Sequence, residues 1–227
     1  MNIKQYNTCF LLRAHSYKIN ITLCFIMFFS FFVQAQKSKK NVTNDSLEVL
    51  MNKSLSLLFD ENKIKQSLEY AINMVDYADE LDSDYYKSKA YYIMAANYES
   101  IADYQSAEKN YKESLKYAKR NGDSLLTAYI YNGLGNISVY LTENKNTGIN
   151  YYNKSLELGS KFEKYNQHPA TINLAWSYLD LNEFDKAYLY LEKSESLLSK
   201  VKREDINANC EIQFLKARYF LGKKKID

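Results

Sequence analysis

The sequence predicts an all-α fold, a solenoid of antiparallel helix pairs running to about four and a half repeats. Three observations carry that expectation. Apolar residues recur three and four apart along most of the chain, and no stretch alternates with period two. The 227 residues include only 6 Gly and 1 Pro, too few for a turn-rich β fold or a collagen-like chain. A unit of about forty residues returns again and again, the mark of a stacked array.

The clearest copy of the unit begins at Tyr91, with Met94, Ala95 and Tyr98 in its first half and Tyr104, Ala107, Tyr111, Ser114 and Leu115 in its second. The second half returns as Gly148, Tyr152, Ser155 and Leu156, then as Phe184, Ala187, Leu191 and Ser194, and precedes itself as Ile64, Ser67, Ala71 and Met74. First halves repeat at Tyr131, Leu134 and Gly135 and at Thr171, Leu174, Ala175 and Tyr178. The pattern predicts helices over 46–60, 62–81, 84–102, 104–121, 123–142, 146–163, 169–182, 184–202 and 204–222. Asp82-Ser83-Asp84 and Asn121-Gly122-Asp123-Ser124 supply stop and start signals between them, and Pro169 suits a first helical turn. Small residues at Ala95, Gly135 and Ala175, and at Ala107, Gly148 and Ala187, mark where paired helices cross closely. One pair cannot bury its apolar stripe alone, so the pairs must stack into a continuous core.

At these residues the chain resembles the tetratricopeptide repeat family, whose pattern is aromatic-x2-Leu-Gly-x2-Tyr followed by Ala-x3-Phe and a terminal Pro. The likeness covers roughly residues 46–227, with repeats near 46–83, 84–122, 123–165, 166–203 and a partial one at 204–227. Two features depart from it. The terminal Pro is absent, and the period exceeds the usual ~34 residues, as in the forty-residue variety of bacterial sensory and regulatory proteins. The resemblance implies a right-handed α-α superhelix whose first helices line a concave groove that binds peptides.

Ahead of the array, residues 1–35 contain Lys4, Arg13 and Lys18 and no acid, then the uncharged run Ile21–Val33. That run is short for a membrane span and fits a secretory signal peptide, cleaved after Ala35 so that Gln36 begins the mature chain. Export, to a periplasm, follows. The alternative is an uncleaved anchor over residues 19–33, which the bases Lys37, Lys39 and Lys40 favour and which is the only route to a membrane. Residues 36–45 read as a polar linker.

The body offers little for catalysis, metal or cofactor binding. His168 and Cys210 are the only histidine and cysteine beyond residue 35, too few for a zinc site, and Cys210 is expected to be a small buried residue. Gly133-Leu134-Gly135 lacks both the third glycine and the preceding strand of a dinucleotide fingerprint. Residues 36–227 balance bases against acids, which gives no electrostatic case for nucleic acid. The expectation is a non-enzymatic scaffold for protein or peptide partners. The alternative is the sensor region of a truncated membrane signalling protein, a histidine kinase or a helix-turn-helix regulator.

Positions one residue past the packing sites should face the groove. They are Tyr92, Asn132, Asn136, Ile172 and Trp176, with Tyr129 and Tyr140 at the edges. Asn side chains donate and accept, so they can hold a peptide backbone, and Asn136 should be replaceable by Ala without loss of folding. Trp176 is either a ligand anchor or packing between repeats. The paired Lys and Arg of the family's carboxylate-clamp version are not reproduced. Over 204–222, Ile206, Cys210, Phe214, Ala217 and Leu221 form one stripe and Ile212, Leu215 and Tyr219 another, so one stripe should lack a partner and be open to self-association.

Overall fold

A computed structural model describes residues 43–58, 60, 62–199 and 206–224. The segment expected to be a signal peptide, its expected cleavage site at Ala35 and Gln36, and most of the expected linker lie outside the described residues. Among the described residues every regular element is helical: α1 (Asn44–Leu57), α2 (Ile64–Glu80), α3 (Asp84–Ser100), α4 (Tyr104–Asn121), α5 (Ser124–Thr142), α6 (Lys145–Gly159), a 3-10 turn (Lys164–Gln167), α7 (His168–Asp180), α8 (Phe184–Leu198) and α9 (Ile206–Lys223). No described helix is long and apolar enough to cross a membrane.

One turn chemistry sets most of these boundaries. A residue with positive φ stands at Asp82, Ala102, Gly122, Glu143 and Asn182, just after a helix has ended. At four of the five, the next N–H reaches back five residues: Ser83 to Ala78 O, Asp103 to Tyr98 O, Asp123 to Ala118 O and Glu183 to Tyr178 O, at 2.8–3.0 Å. That is the Schellman closure, which satisfies orphan carbonyls. The side chains of Ser83, Asp103, Asp123 and Asn144 then cap the following helix, accepting from the backbone N–H groups of Tyr86, Ser106, Leu126 and Thr147. Stop and start are thus built from three consecutive residues. The α6–α7 connection differs. Helix α6 ends at Gly159, short of the expected 163, because the chain folds back there: a Cβ on Gly159 would lie 3.2 Å from Asn166 O.

Consecutive helices pack antiparallel. Ser114, late in α4, donates its Oγ to Ser88 O, early in α3, at 2.7 Å, and Asn97, late in α3, donates to Ser67, early in α2. Each helix packs on its neighbours in sequence, and each of α1, α3, α5, α7 and α9 also touches the next of that set. The second helices α2, α4, α6 and α8 make no such contact among the described residues. The first helices therefore form one continuous layer. Buried clusters follow the array: Leu47, Met74 and Ile93; then Ile130, Leu134 and Tyr111; then Tyr152 and Leu174; then Leu191, Ile212 and Leu215. Each fully buried aliphatic side chain contributes about 1.5–3 kcal/mol. This is an all-α helical-repeat solenoid.

The close crossings fall where small residues were expected. Ala95, Ala107, Ala175 and Ala187 are wholly buried, and a Cβ on Gly148 would stand 3.2 Å from Gly135 O. Helix α9 buries Ala208, Ile212, Leu215 and Tyr219 against α7 and α8, leaving Ile206, Phe214, Phe220 and Leu221 exposed. Cys210 is exposed with them, contrary to the buried position expected of it, because it lies about half a turn from the packed stripe, on the opposite face of α9.

Candidate functional site

The first-helix layer carries a ladder of side-chain hydrogen bonds, each joining one repeat to the next. Tyr86 on α3 donates to Glu48 on α1 at 3.0 Å, and Asn136 on α5 donates to Glu99 on α3 at 2.7 Å. Asn173 on α7 donates to both Asn132 and Asn136 at 3.0 Å. On α9, Glu211 accepts from Trp176 Nε1 at 2.9 Å and Arg218 donates to Asp180 at 2.9 Å. The partners are 35–41 residues apart, mostly just under the repeat period. Neighbouring first helices are offset by about one helical turn, so a side chain meets a residue roughly a turn short of its own counterpart.

Two glycines let the second helices contribute to this layer. A Cβ on Gly133 would stand 2.3 Å from Tyr111 Cζ, and one on Gly135 would stand 2.4 Å from Tyr152 Cε1. The bare backbone of α5 leaves room for both rings. Tyr111, from α4, donates to Glu99 at 2.6 Å, and Tyr152, from α6, donates to Asn136 Oδ1 at 2.9 Å. The Gly133-Leu134-Gly135 sequence thus belongs to tyrosine packing.

Glu99 accepts from two neutral side chains on two other helices. One oxygen accepts from Tyr111 and the other from Asn136, and among the described residues it has no ion pair. Burial raises its pKa above the usual carboxylate range, while the two donors pull the other way. The nearby phenols are raised too. Burial dominates for Tyr92, Tyr140 and Tyr152, and the Glu99 charge adds to each. Further toward α1, burial and Glu48 push the Tyr86 hydroxyl up to about 12.

The residues expected in the groove divide. Asn132 and Asn136 lie on the first-helix layer and are joined by Asn173. Tyr92 is half-buried there, its ring 6.0 Å from that of Tyr111, and Tyr140 is exposed and stacked on Tyr104. Tyr129 donates to Asn166 in the α6–α7 connection. Ile172 is a correction: it is buried in the α7–α9 cluster with Ile212, because α9 packs over that side of α7. Trp176 is packing between repeats, its ring 5.6 Å from Phe214 and 4.8 Å from the Arg218 guanidinium. Asn136 is also more embedded than a replaceable groove residue should be, with three hydrogen-bond partners on three helices. Glu99, Tyr152 and Asn173 were missed. The available signal was polar residues at 99, 136 and 173, evenly spaced but out of step with the forty-residue repeat.

Among the described residues no group of three or more His, Cys, Asp or Glu is placed to hold a metal ion. An open pocket of about 610 Å³ lies at the α5–α6 turn, lined by Val139, Glu143, Asn144, Lys145 and Leu181. Its one basic group, Lys145, is 3.6 Å from Asp180.

No known family's sequence pattern matches the chain, and no curated protein matches it. Among solved structures it is similar to the crystal structure of BtubC (BKLC) from P. vanneervenii. The match has a TM-score of 0.50 and 15% identity, covering 78% of this chain and 90% of that one. At that identity the likeness bears on the fold alone.

Proposed function

We propose that this chain is an exported helical-repeat scaffold of the tetratricopeptide kind, which binds a protein or peptide segment along its first-helix layer and catalyses no reaction. The observation that carries the reading is the polar ladder. It runs the length of that layer, and its carboxamides and phenols can hold an extended segment at regular intervals. Export is supported by the uncharged run Ile21–Val33 followed by Ala35 and Gln36, not by any described structure.

Hydrogen exchange of the full chain, with and without nonapeptides selected from a random pool, tests the binding reading. Protection in α3, α5 and α7 is expected, and protection confined to second helices would contradict it. Intact-mass measurement on protein recovered from cells tests export: a mature chain beginning at Gln36 is expected, and a retained 1–35 segment in the membrane fraction favours the anchor.

A second reading, the sensor region of a membrane-linked signalling protein, is favoured by one feature. The exposed residues Ile206, Phe214, Phe220 and Leu221 give α9 an apolar outer side, which in that reading packs on a further element.

A further inference from the structure

Taking an ionised carboxylate out of water costs several kcal/mol unless charge or hydrogen bonds replace the water. Glu99 is held by two neutral donors, Tyr111 and Asn136, and both can only favour its ionised form if they donate as placed. An ionised carboxylate has about four acceptor positions, so two donors leave capacity for more. Among the described residues no cation pairs with it, and no basic group is among the causes shifting its pKa. Three basic groups of the array are engaged with other acids. Lys89 holds Asp123 at 2.7 Å, and Lys145 and Arg218 both face Asp180. Around Glu99 the side chains are tyrosines: Tyr111 in contact, with Tyr92, Tyr140 and Tyr152 close enough to feel its charge. The faces of such rings attract cations, as this chain already shows where Arg218 lies 4.8 Å from the Trp176 ring. The Tyr92 and Tyr140 hydroxyls make no hydrogen bond among the described residues.

We propose that Glu99 receives a basic side chain, lysine or arginine, from the segment that lies along the first-helix layer, with Tyr92 and Tyr140 flanking the cation. The inference rests on the binding function proposed above and names the chemistry of its partner. Charge complementarity selects a cation over an anion or an apolar group. The carboxylate is already oriented, because Asn136 is itself fixed by Tyr152 and Asn173, so little ordering is left for the guest to impose.

The test displays a randomised nonapeptide pool on phage against the immobilised full chain, then measures a synthetic survivor by fluorescence polarisation. It uses the wild type, Glu99→Gln and Tyr140→Ala, with thermal melts confirming that each variant is folded. The expected result is a lysine or arginine at one fixed place in the survivors and binding about tenfold weaker to Glu99→Gln, a change of about 1.4 kcal/mol. Replacing that lysine by norleucine should weaken binding to the wild type but not to Glu99→Gln, since the two changes remove the same contact. Survivors without a basic residue, weakened by Tyr140→Ala but indifferent to Glu99→Gln, would overturn the inference and leave the binding function standing. A pool from which nothing is retained would overturn both.

Discussion

The first-helix layer treats its carboxylates differently in two of its joints. Between α7 and α9, Asp180 faces Arg218 and Lys145, and Glu211 takes the indole N–H of Trp176 while Arg218 lies over the same ring. Between α3 and α5, Glu99 has neutral donors only. In the first, Asp180 is answered by two cations of the chain itself, while Glu211 takes a neutral donor. In the second, neutral donors alone hold the acid. The same repeat geometry therefore supports a joint with an ion-paired acid in one place and one with neutral donors only in another, and side chains rather than backbone decide which.

The sharpest way to break the joint between α3 and α5 is to remove the room it is built on. Gly135→Leu drives a side chain into the Tyr152 ring and should cost about 3 kcal/mol, the upper part of the range for overpacking, read as a lowered thermal midpoint. Ala107→Leu, at a wholly buried crossing, should fall in the same range. In the joint between α7 and α9, Trp176→Ala should cost about 2 kcal/mol, less than for a fully buried Trp because the ring is only half-buried. Hydrogen exchange should then rise in α9 and stay unchanged in α3 and α4.

Asn136→Ala comes next, at about 1–2 kcal/mol, because it strands Tyr152, Asn173 and Glu99 together. A variant as stable as the wild type would show that these partners are served by water. Glu99→Gln should have the smallest effect near neutrality, no more than about 1 kcal/mol, but a distinctive pH dependence. Its carboxyl is raised in the fold by burial, so above the ordinary Glu range the folded chain holds a proton that the unfolded chain has lost. Stability from this group is full below that range and declines as pH rises through the raised value. The facing titratable groups, Tyr92, Tyr111, Tyr140 and Tyr152, are themselves raised and do not ionise there. Denaturant melts between about pH 5 and about pH 8 should show wild type losing ground to Glu99→Gln as pH rises.

Much of the fold could be read in the sequence because close crossings demand small residues: Ala95, Gly135, Ala107, Gly148, Ala175 and Ala187 stand where helices meet. Boundaries were legible where an Asp, Asn or Ser both followed a stop and capped a start, as at Ser83 and Asp123. They were misplaced at α6, where an apolar pattern runs on through Phe162 but the chain turns at Gly159. The site was less legible. A forty-residue repeat aligns Asn136 with its structural counterparts, whereas hydrogen bonding pairs it with Glu99 and Asn173, 37 residues away on either side. Ile172 was assigned to the groove by helical phase alone, and phase does not reveal which flank the next repeat will cover.

The three-residue turns have a mechanical consequence. A left-handed residue closed by a backbone bond has essentially one setting, so Asp82, Ala102, Gly122 and Asn182 act as rigid brackets between their helices. The stretch from Ser160 to Gln167 is built otherwise, from bends and a single 3-10 turn. In a series of links the compliance collects where no such bracket stands, and this connection, from α6 to α7, has none. Bending there changes the spacing of α5 and α7, whose rungs are Asn132 and Asn136 with Asn173. The first-helix layer would then widen or narrow there, one rung from Glu99, with faster hydrogen exchange over 160–167 than at the four bracketed turns as its signature.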